Sequence, residues 1–270
     1  MTAVHPQVEV GSVLREWRER RRLSQLELAL DAGISSRHLS FVETGRSHPG
    51  RDMLLRVLGQ LKVPFREQNR LLLAAGHAPA YPERSIDDPD LAPVRDALDL
   101  ILSGHEPYPA VAVDRVWNMV AANPAMLGLA DGIEIDPRLL EPPINVIKVG
   151  LHPRGLAPLF VNLGDWHAHW MGQLGRQLAA SRDPQLAALV EEVGGYPHPE
   201  PEGALEPGAE EMLGPVRMRA PDGGELSFFG MFATFDTPFE VTTSELAVEL
   251  LFPADRTTAE QMRNRTKGPR

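Results

Sequence analysis

The 270-residue chain has no cysteine. That excludes a disulfide framework, a thiolate metal site and a cysteine nucleophile. No apolar run approaches the roughly 20 residues a membrane span needs. The first residues also lack the apolar segment of a signal peptide, so a soluble, cytoplasmic protein is expected. There is no G-x-S-x-G, and no phosphate-binding G-x-G-x-x-G that opens a helix. Asp87-Asp88 and Glu191-Glu192 are adjacent carboxylates of the kind that is usually solvated. The nearest approach to a metal pair is His167-Ala-His169. On a helix, residues two apart point about 200° from one another and cannot share an ion, whereas on a strand they could. The four-residue spacing of Trp166 and Trp170 says helix. The expectation is therefore no metal, no cofactor and no enzyme, with one of the two histidines free to face a pocket and bond a polar head group.

What is present looks globular: 43% hydrophobic and 24% charged residues. The net charge of −10 argues against nucleic acid until it is divided. Residues 1–80 hold 12 Lys/Arg against 8 Asp/Glu, and residues 81–270 hold 15 against 29. One end is basic and the rest is acidic. Between them, residues 78–93 carry four prolines and no helical period, which marks a semi-rigid linker. The expected division is residues 1–78, a linker 79–92, a second domain 93–257, and a polar tail 258–270 that frays. A second Pro/Gly-rich interruption lies at 194–208.

Every segment before the linker reads as helix, five in all. Val10, Val13, Leu14 and Trp17 form the stripe of the first, with Arg15, Arg18, Arg20, Arg21 and Arg22 on its other faces. Ser24 and Glu27 fit a capping box, and Gly33 suits a left-handed C-terminal turn. Ser35 caps a third helix that ends at Gly45. Two helices of this size around a glycine turn form a helix-turn-helix unit, whose second helix enters the major groove of double-stranded DNA. Its first turn is Ser35-Ser36-Arg37-His38. Arg37 can donate twice to guanine, while Gln25 suits a phosphate. Arg46 and Arg51 follow the helix and are placed to neutralise backbone. Ser35 and Ser36 either cap the helix and bind phosphate or read bases. Phe41 either packs inward or lies against a thymine methyl.

Gln25-x-x-Leu-Ala29, Gly33, Leu39-Ser-Phe-Val-Glu-Thr-Gly-Arg46 and Pro49 resemble the phage-repressor-like (Xre-type) helix-turn-helix family over about residues 10–75. The resemblance implies base contacts from the start of the third helix, at Ser35, Ser36, Arg37 and Phe41, and a structural role for Glu43. Most such readers act as homodimers, and a dimer is expected here.

After the linker the period changes. Residues 93–102 are helical. Pro109–Ala122 alternates as a β-hairpin around Asp114-Arg115. A second hairpin turns at Asp222-Gly-Gly, and Leu246, Val248, Leu250 and Phe252 alternate as a last strand. Helices lie between these strands, one carrying Trp166, Trp170, Leu174 and Leu178. The expected fold class is therefore multidomain: an all-α helix-turn-helix domain, then an α+β domain with one antiparallel sheet and helices on it. Such a layer can enclose an apolar pocket, for which Trp117, Trp166, Trp170, Phe228, Met231, Phe232 and Phe235 are the candidates, although side chains of this kind more often make core. His105-Glu-Pro-Tyr-Pro-Ala110, Val113-Asp-Arg-x-Trp117, Ala121-x-Asn123, Asn162-x-x-Asp-Trp166 and Asp183-Pro-x-Leu-x-x-Leu-Val190 resemble the ligand-binding domain of MmyB-like transcription regulators. That resemblance implies a PAS-like domain with a small apolar, fatty-acid-like effector. The alternative is a C-terminal half that binds a protein partner and no small molecule. It predicts an exposed apolar patch, whereas a sensor predicts an enclosed cavity.

Overall fold

The computed structural model describes residues 10–201, 214–220, 223–236 and 238–265. The chain divides into two compact units. One comprises residues 1–84 with 237–244, and the other 85–236 with 245–270.

The first unit contains α1 (Val10–Arg20), α2 (Gln25–Asp31), α3 (Ser36–Glu43), α4 (Arg51–Gln60) and α5 (Phe65–Ala74). The α2 start is fixed by both halves of a capping box: Ser24 Oγ accepts from the Glu27 amide and Glu27 accepts from the Ser24 amide. Gly33, at φ +65°, turns the chain between α2 and α3 in a conformation that costs a side-chain-bearing residue energy. The helices close on Leu14, Trp17, Leu28, Leu39, Leu54, Leu58 and Leu71, all buried. Helix α1 crosses α3 closely at Gly11, where a Cβ would stand 2.1 Å from the Val42 carbonyl oxygen. Gly11→Ala is thus expected to force the two helices apart and cost about 1–3 kcal/mol. Thermal unfolding of the full chain measures this, and an unchanged first transition would refute it.

The linker region is partly docked. Tyr81 stacks on Phe65 at 3.8 Å and 6°. The buried Asn69 accepts from the Ala80 and Tyr81 amides and donates to the Tyr81 carbonyl. Residues 80–81 are therefore held to α5 by a hydrogen-bonded side chain rather than spanning open solvent.

The second unit begins with α6 (Ala92–Gly104), followed by β1 (Ala110–Val113), β2 (Met119–Ala122) and the single-turn α7 (Pro124–Leu127). Next come α8 (Val146–Leu151), α9 (Leu163–Ser181), α10 (Pro184–Gly194), β3 (Val216–Arg219) and β4 (Glu225–Thr234). The single turn α11 (Val241–Ser244) precedes β5 (Ala247–Pro253) and α12 (Arg256–Arg265). The strands form one antiparallel sheet, β2-β1-β5-β4-β3. This is the expected α+β architecture, with both hairpins present. Of the second hairpin's turn, Asp222 lies outside the described residues, and Gly223 has φ +85°.

Because side chains alternate along a strand, the central β5 has two faces, and helices cover both. Val248 and Ala112 pack with Leu98 and Leu102 of α6. On the other face Val111 and Val113 join Trp170, Leu174 and Leu189 of α9 and α10. Val216, Met218, Leu226, Phe228 and Leu251 extend this inner face. The polar tail expected from Thr258 is ordered helix as far as Arg265. Its Thr258 hydroxyl accepts from the Ser227 amide, and its Met262 packs beside Phe228. Two inward side chains suffice to dock a helix whose composition is otherwise polar.

The chain leaves the sheet unit between β4 and β5. Residues 238–244 belong to the first unit, where the Val241 amide donates to the Pro82 carbonyl at 2.9 Å and Thr242 Oγ1 donates to the Arg84 carbonyl at 2.6 Å.

Candidate functional site

The first candidate is the exposed end of α3. Ser35 takes the N-cap position, and its hydroxyl accepts from the His38 amide. Ser36 and His38 are half-buried, and Arg37 is exposed, its guanidinium lying 5.3 Å from the Phe41 ring centroid. That stacking holds a planar double donor out from the helix, with the half-buried Phe41 as its support. Arg46 and Arg51 are exposed and make no side-chain hydrogen bond or ion pair among the described residues. A capped helix start with one stacked basic side chain, and two exposed cations beyond the other end of the same helix, thus belong to a unit with excess positive charge.

Behind this surface lies a network that the sequence reading did not foresee. Arg18 donates from Nε to Glu43 Oε1 at 2.7 Å and from Nη2 to Oε2 at 2.9 Å, and its Nη1 reaches the Leu23 carbonyl. Its side chain is 10% exposed and that of Glu43 is 1%. Arg18 is therefore not on a solvated face: it lies one turn from Leu14 and faces α3. Gln25 also donates to Glu43 Oε2, at 2.7 Å. The carboxamide assigned to phosphate is thus turned at least partly inward. Glu43 has the structural role implied by its resemblance, tying α1, α2 and α3 together.

The second candidate is a cavity of about 230 Å³ against the inner face of the sheet. Its walls come from Val111 of β1, Met126 of α7, Ile147 and Gly150 of α8, Trp166 and Trp170 of α9, Met218 of β3, and Glu249 and Leu251 of β5. Twenty-one of its 22 lining residues carry no charge; the exception is Glu249. Glu249 is 7% exposed; among the described residues its side chain makes no hydrogen bond or ion pair, and its oxygens are not fully enclosed by protein atoms. Burial among apolar groups pushes its carboxyl up to about 7. A larger concavity, near 870 Å³, opens beside α8 and α10. Its charges largely neutralise one another, as Lys148 pairs with Glu192 and Arg138 with Asp136. It has the character of a solvated groove rather than a ligand site.

These two constructions meet two families. Residues 94–264 match the MmyB-like transcription regulator ligand binding domain, and residues 14–68 match a helix-turn-helix domain. The chain belongs to the MmyB-like transcription regulators. It carries a helix-turn-helix domain and a ligand-binding type of C-terminal domain, and both families are regulator domains, not catalytic ones. It is also 40% identical over 74 residues to an uncharacterized HTH-type transcriptional regulator, RghRB, of Bacillus subtilis strain 168. The match covers 27% of this chain and spans about half the length (51%) of that relative. Among solved structures, the clp gene regulator ClgR from Corynebacterium glutamicum is 22% identical, with a TM-score of 0.23 over 37% of this chain and 94% of that one. An RNA-binding light-oxygen-voltage receptor is 11% identical, with a TM-score of 0.25 over 97% of this chain and 64% of that one.

Within this MmyB-like domain, the seven aromatic and methionine candidates separate. Trp166 and Trp170 line the cavity. Trp117, at φ +68° in the turn after β1, lies behind that wall, edge-on to Trp170 at 4.6 Å and to Phe232 at 5.5 Å. Its indole N–H is held by Gln177. Phe228 is fully buried and fills core beside Leu226. Met231 pairs with Leu250 in the register, which turns it to the opposite face of the sheet, where it is 58% exposed. Phe235 packs toward the Leu98 cluster of that same outer side. Five of the seven therefore lie off the cavity wall: Met231 and Phe235 because strand alternation turns them to the outer face, and Trp117, Phe228 and Phe232 because they pack as core on the inner side.

Neither histidine of the expected pair lines the cavity. Both sit on α9, as the tryptophan spacing implied. The His167 ring meets the Val193 carbonyl and stacks on His198, and burial lowers its pKa. His169 stacks on Trp166, and burial lowers its pKa too. The polar group in the cavity is Glu249, which the sequence reading missed. The signal was a lone carboxylate in Ala247-Val-Glu-Leu-Leu-Phe252, which needed the knowledge that β5 is covered on both faces. Among the described residues no group of three His, Asp or Glu is gathered for a metal, and no helix is long and apolar enough to cross a membrane.

Proposed function

We propose that this protein is a sequence-specific transcription regulator whose C-terminal domain binds a small apolar effector and thereby changes the affinity of its helix-turn-helix unit for an operator. The observation that carries the reading is the cavity: a built space with nearly uncharged walls, inside a domain of a ligand-binding family. Its 230 Å³ falls just under the roughly 300–1,000 Å³ typical of drug-sized ligands. A cavity of this size suits a small ligand with an apolar body.

The proposed coupling is a population shift, in which the effector favours one of two arrangements by binding it more tightly. The chain offers a route. Strand β5 contributes Glu249 and Leu251 to the cavity and is joined, through residues 238–244, to the anchors at Pro82 and Arg84. Native mass spectrometry of the full chain purified from its host tests the sensor reading. The expected result is a retained small molecule that disappears in Gly150→Phe, since a Cβ at Gly150 meets nothing within 4 Å and the ring enters the cavity. No retained mass, together with no binding of short amphiphiles, would overturn it.

On the DNA side, Arg37→Ala is expected to weaken operator binding about 5- to 100-fold and relax one base position. Arg46→Ala and Arg51→Ala are each expected to lower the salt slope of binding by about one. Unchanged affinity and slope in all three would remove this surface from the interface.

A second reading has one observation in its favour. Phe229, Met231 and Phe252 are 41%, 58% and 37% exposed on the outer face of the sheet. Phe229 and Phe252 are register partners there, which makes a contiguous apolar patch. This patch suits a protein partner, and a second copy of the chain fits the paired half-sites such readers use. Sedimentation of Met231→Asp against the parent separates the cases. A loss of dimer supports self-association, and an unchanged monomer leaves the patch to another protein.

A further inference from the structure

The apolar cavity has one polar feature, and its placement restricts the ligand. Glu249 sits in the middle of the central strand, opposite Val111 on β1 and Phe232 on β4 in the register. Its Oε1 lies beside Gly230 of β4, 3.4 Å from where a Cβ there would stand, an ordinary contact distance. Apart from the indole N–H groups of Trp166 and Trp170, the side chains of the surrounding wall offer no donor, and among the described residues none is hydrogen-bonded to Glu249. A buried carboxyl without a hydrogen bond costs several times what a satisfied one does, and native proteins rarely leave such a group without a partner. A carboxylate can only accept, and a second anion brought against it in a low-dielectric space is repelled.

We propose that the cavity takes a small amphiphile whose apolar body fills the hydrophobic walls and whose hydroxyl or protonated amine donates to Glu249, and that ionised carboxylates are turned away. The proposal rests on reading the cavity as the effector site. It departs from the acidic, fatty-acid-like head group implied by the resemblance. Glu249 acts as a selector: the walls set the size and apolarity of the ligand, and the carboxylate sets the sense of its head-group hydrogen bond. A cationic head gains a charge-assisted bond, shorter and stronger than a neutral one. A carboxylate head loses its hydration and gains no donor.

Titration calorimetry of the full chain at pH 8 with octylamine, 1-octanol and octanoate tests this, since the three share one apolar body. The expected result is that octylamine and 1-octanol bind at least tenfold more tightly than octanoate. In Glu249→Gln, whose amide can donate, octylamine should lose at least tenfold and octanoate should gain, with circular dichroism confirming that the variant is folded. Equal binding of the three probes, unchanged in the variant, overturns the head-group selection while leaving the cavity a ligand site. No binding of any probe to the parent overturns both readings. Because the comparison among probes is made on the parent chain, a variant that fails to fold does not rescue the proposal.

Discussion

Replacing Glu43 with leucine is expected to destabilise the helix-turn-helix unit by about 3–5 kcal/mol. The cost does not measure the strength of the ion pair. It arises because Arg18, whose side chain is 10% exposed, keeps its charge and loses both carboxylate oxygens, while Gln25 loses its acceptor. For a unit of this size, 1 kcal/mol corresponds to roughly 4–8 °C in melting temperature, so the first thermal transition should fall by more than 10 °C. Operator binding should fail with it. The double replacement Arg18→Met, Glu43→Leu removes both charges and is expected to recover most of the loss, since apolar substitutes for a buried pair are often neutral or better. A double variant as unstable as the single would show that the network's hydrogen bonds, and not an orphaned charge, set the cost.

Replacing Glu249 with leucine is expected to act in the opposite direction. Burial raises its carboxyl to about 7 in the folded chain, against an ordinary value of 4.5 when unfolded. Between those values the folded state keeps a proton that the unfolded state releases. Stability from this group is therefore fully present below about pH 4 and is lost as pH rises through 7. The gap corresponds to roughly 3 kcal/mol. At pH 8 the leucine variant should melt about 6–12 °C higher than the parent, and near pH 4.5 the two should converge. Parallel melting curves across this range, or a lower melting point at pH 8, would mean the carboxyl is solvated or paired. A stabilising change at a cavity residue is also a sign that the side chain is kept for function rather than for the fold.

Local chemistry made much of this legible in advance. Ser24 with Glu27 announced a helix start, and Ser35 with Gly33 and Gly45 bracketed the recognition helix. The alternation on either side of Asp114-Arg115 announced the first hairpin. Each signal acts within a few residues, where sequence and geometry are directly linked. The misses depended on what lies across the fold. Arg18 looked like one of five arginines on a solvated helix until α3 brought Glu43 against it. Met231 and Phe232 are neighbours in sequence but point to opposite faces, and neither lines the cavity: Phe232 packs on Trp117 and Trp170, and Met231 is exposed on the outer face. Glu249 falls between the alternating Val248 and Leu250, where only the central place of β5, with helices on both sides, shows that it is buried. Thr258 and Met262 dock a helix whose composition looked like tail.

A regulator of the proposed kind changes its DNA binding when the cavity is occupied. The direct measurement is the affinity of the full chain for an operator, selected from random duplexes, at fixed salt with and without saturating 1-octanol, in the parent and in Gly150→Phe. The expected result is a change of about 5- to 150-fold in the parent, the usual range of coupling between two sites, and no response in the filled variant. An affinity that stays the same while calorimetry shows the cavity occupied would contradict the claim.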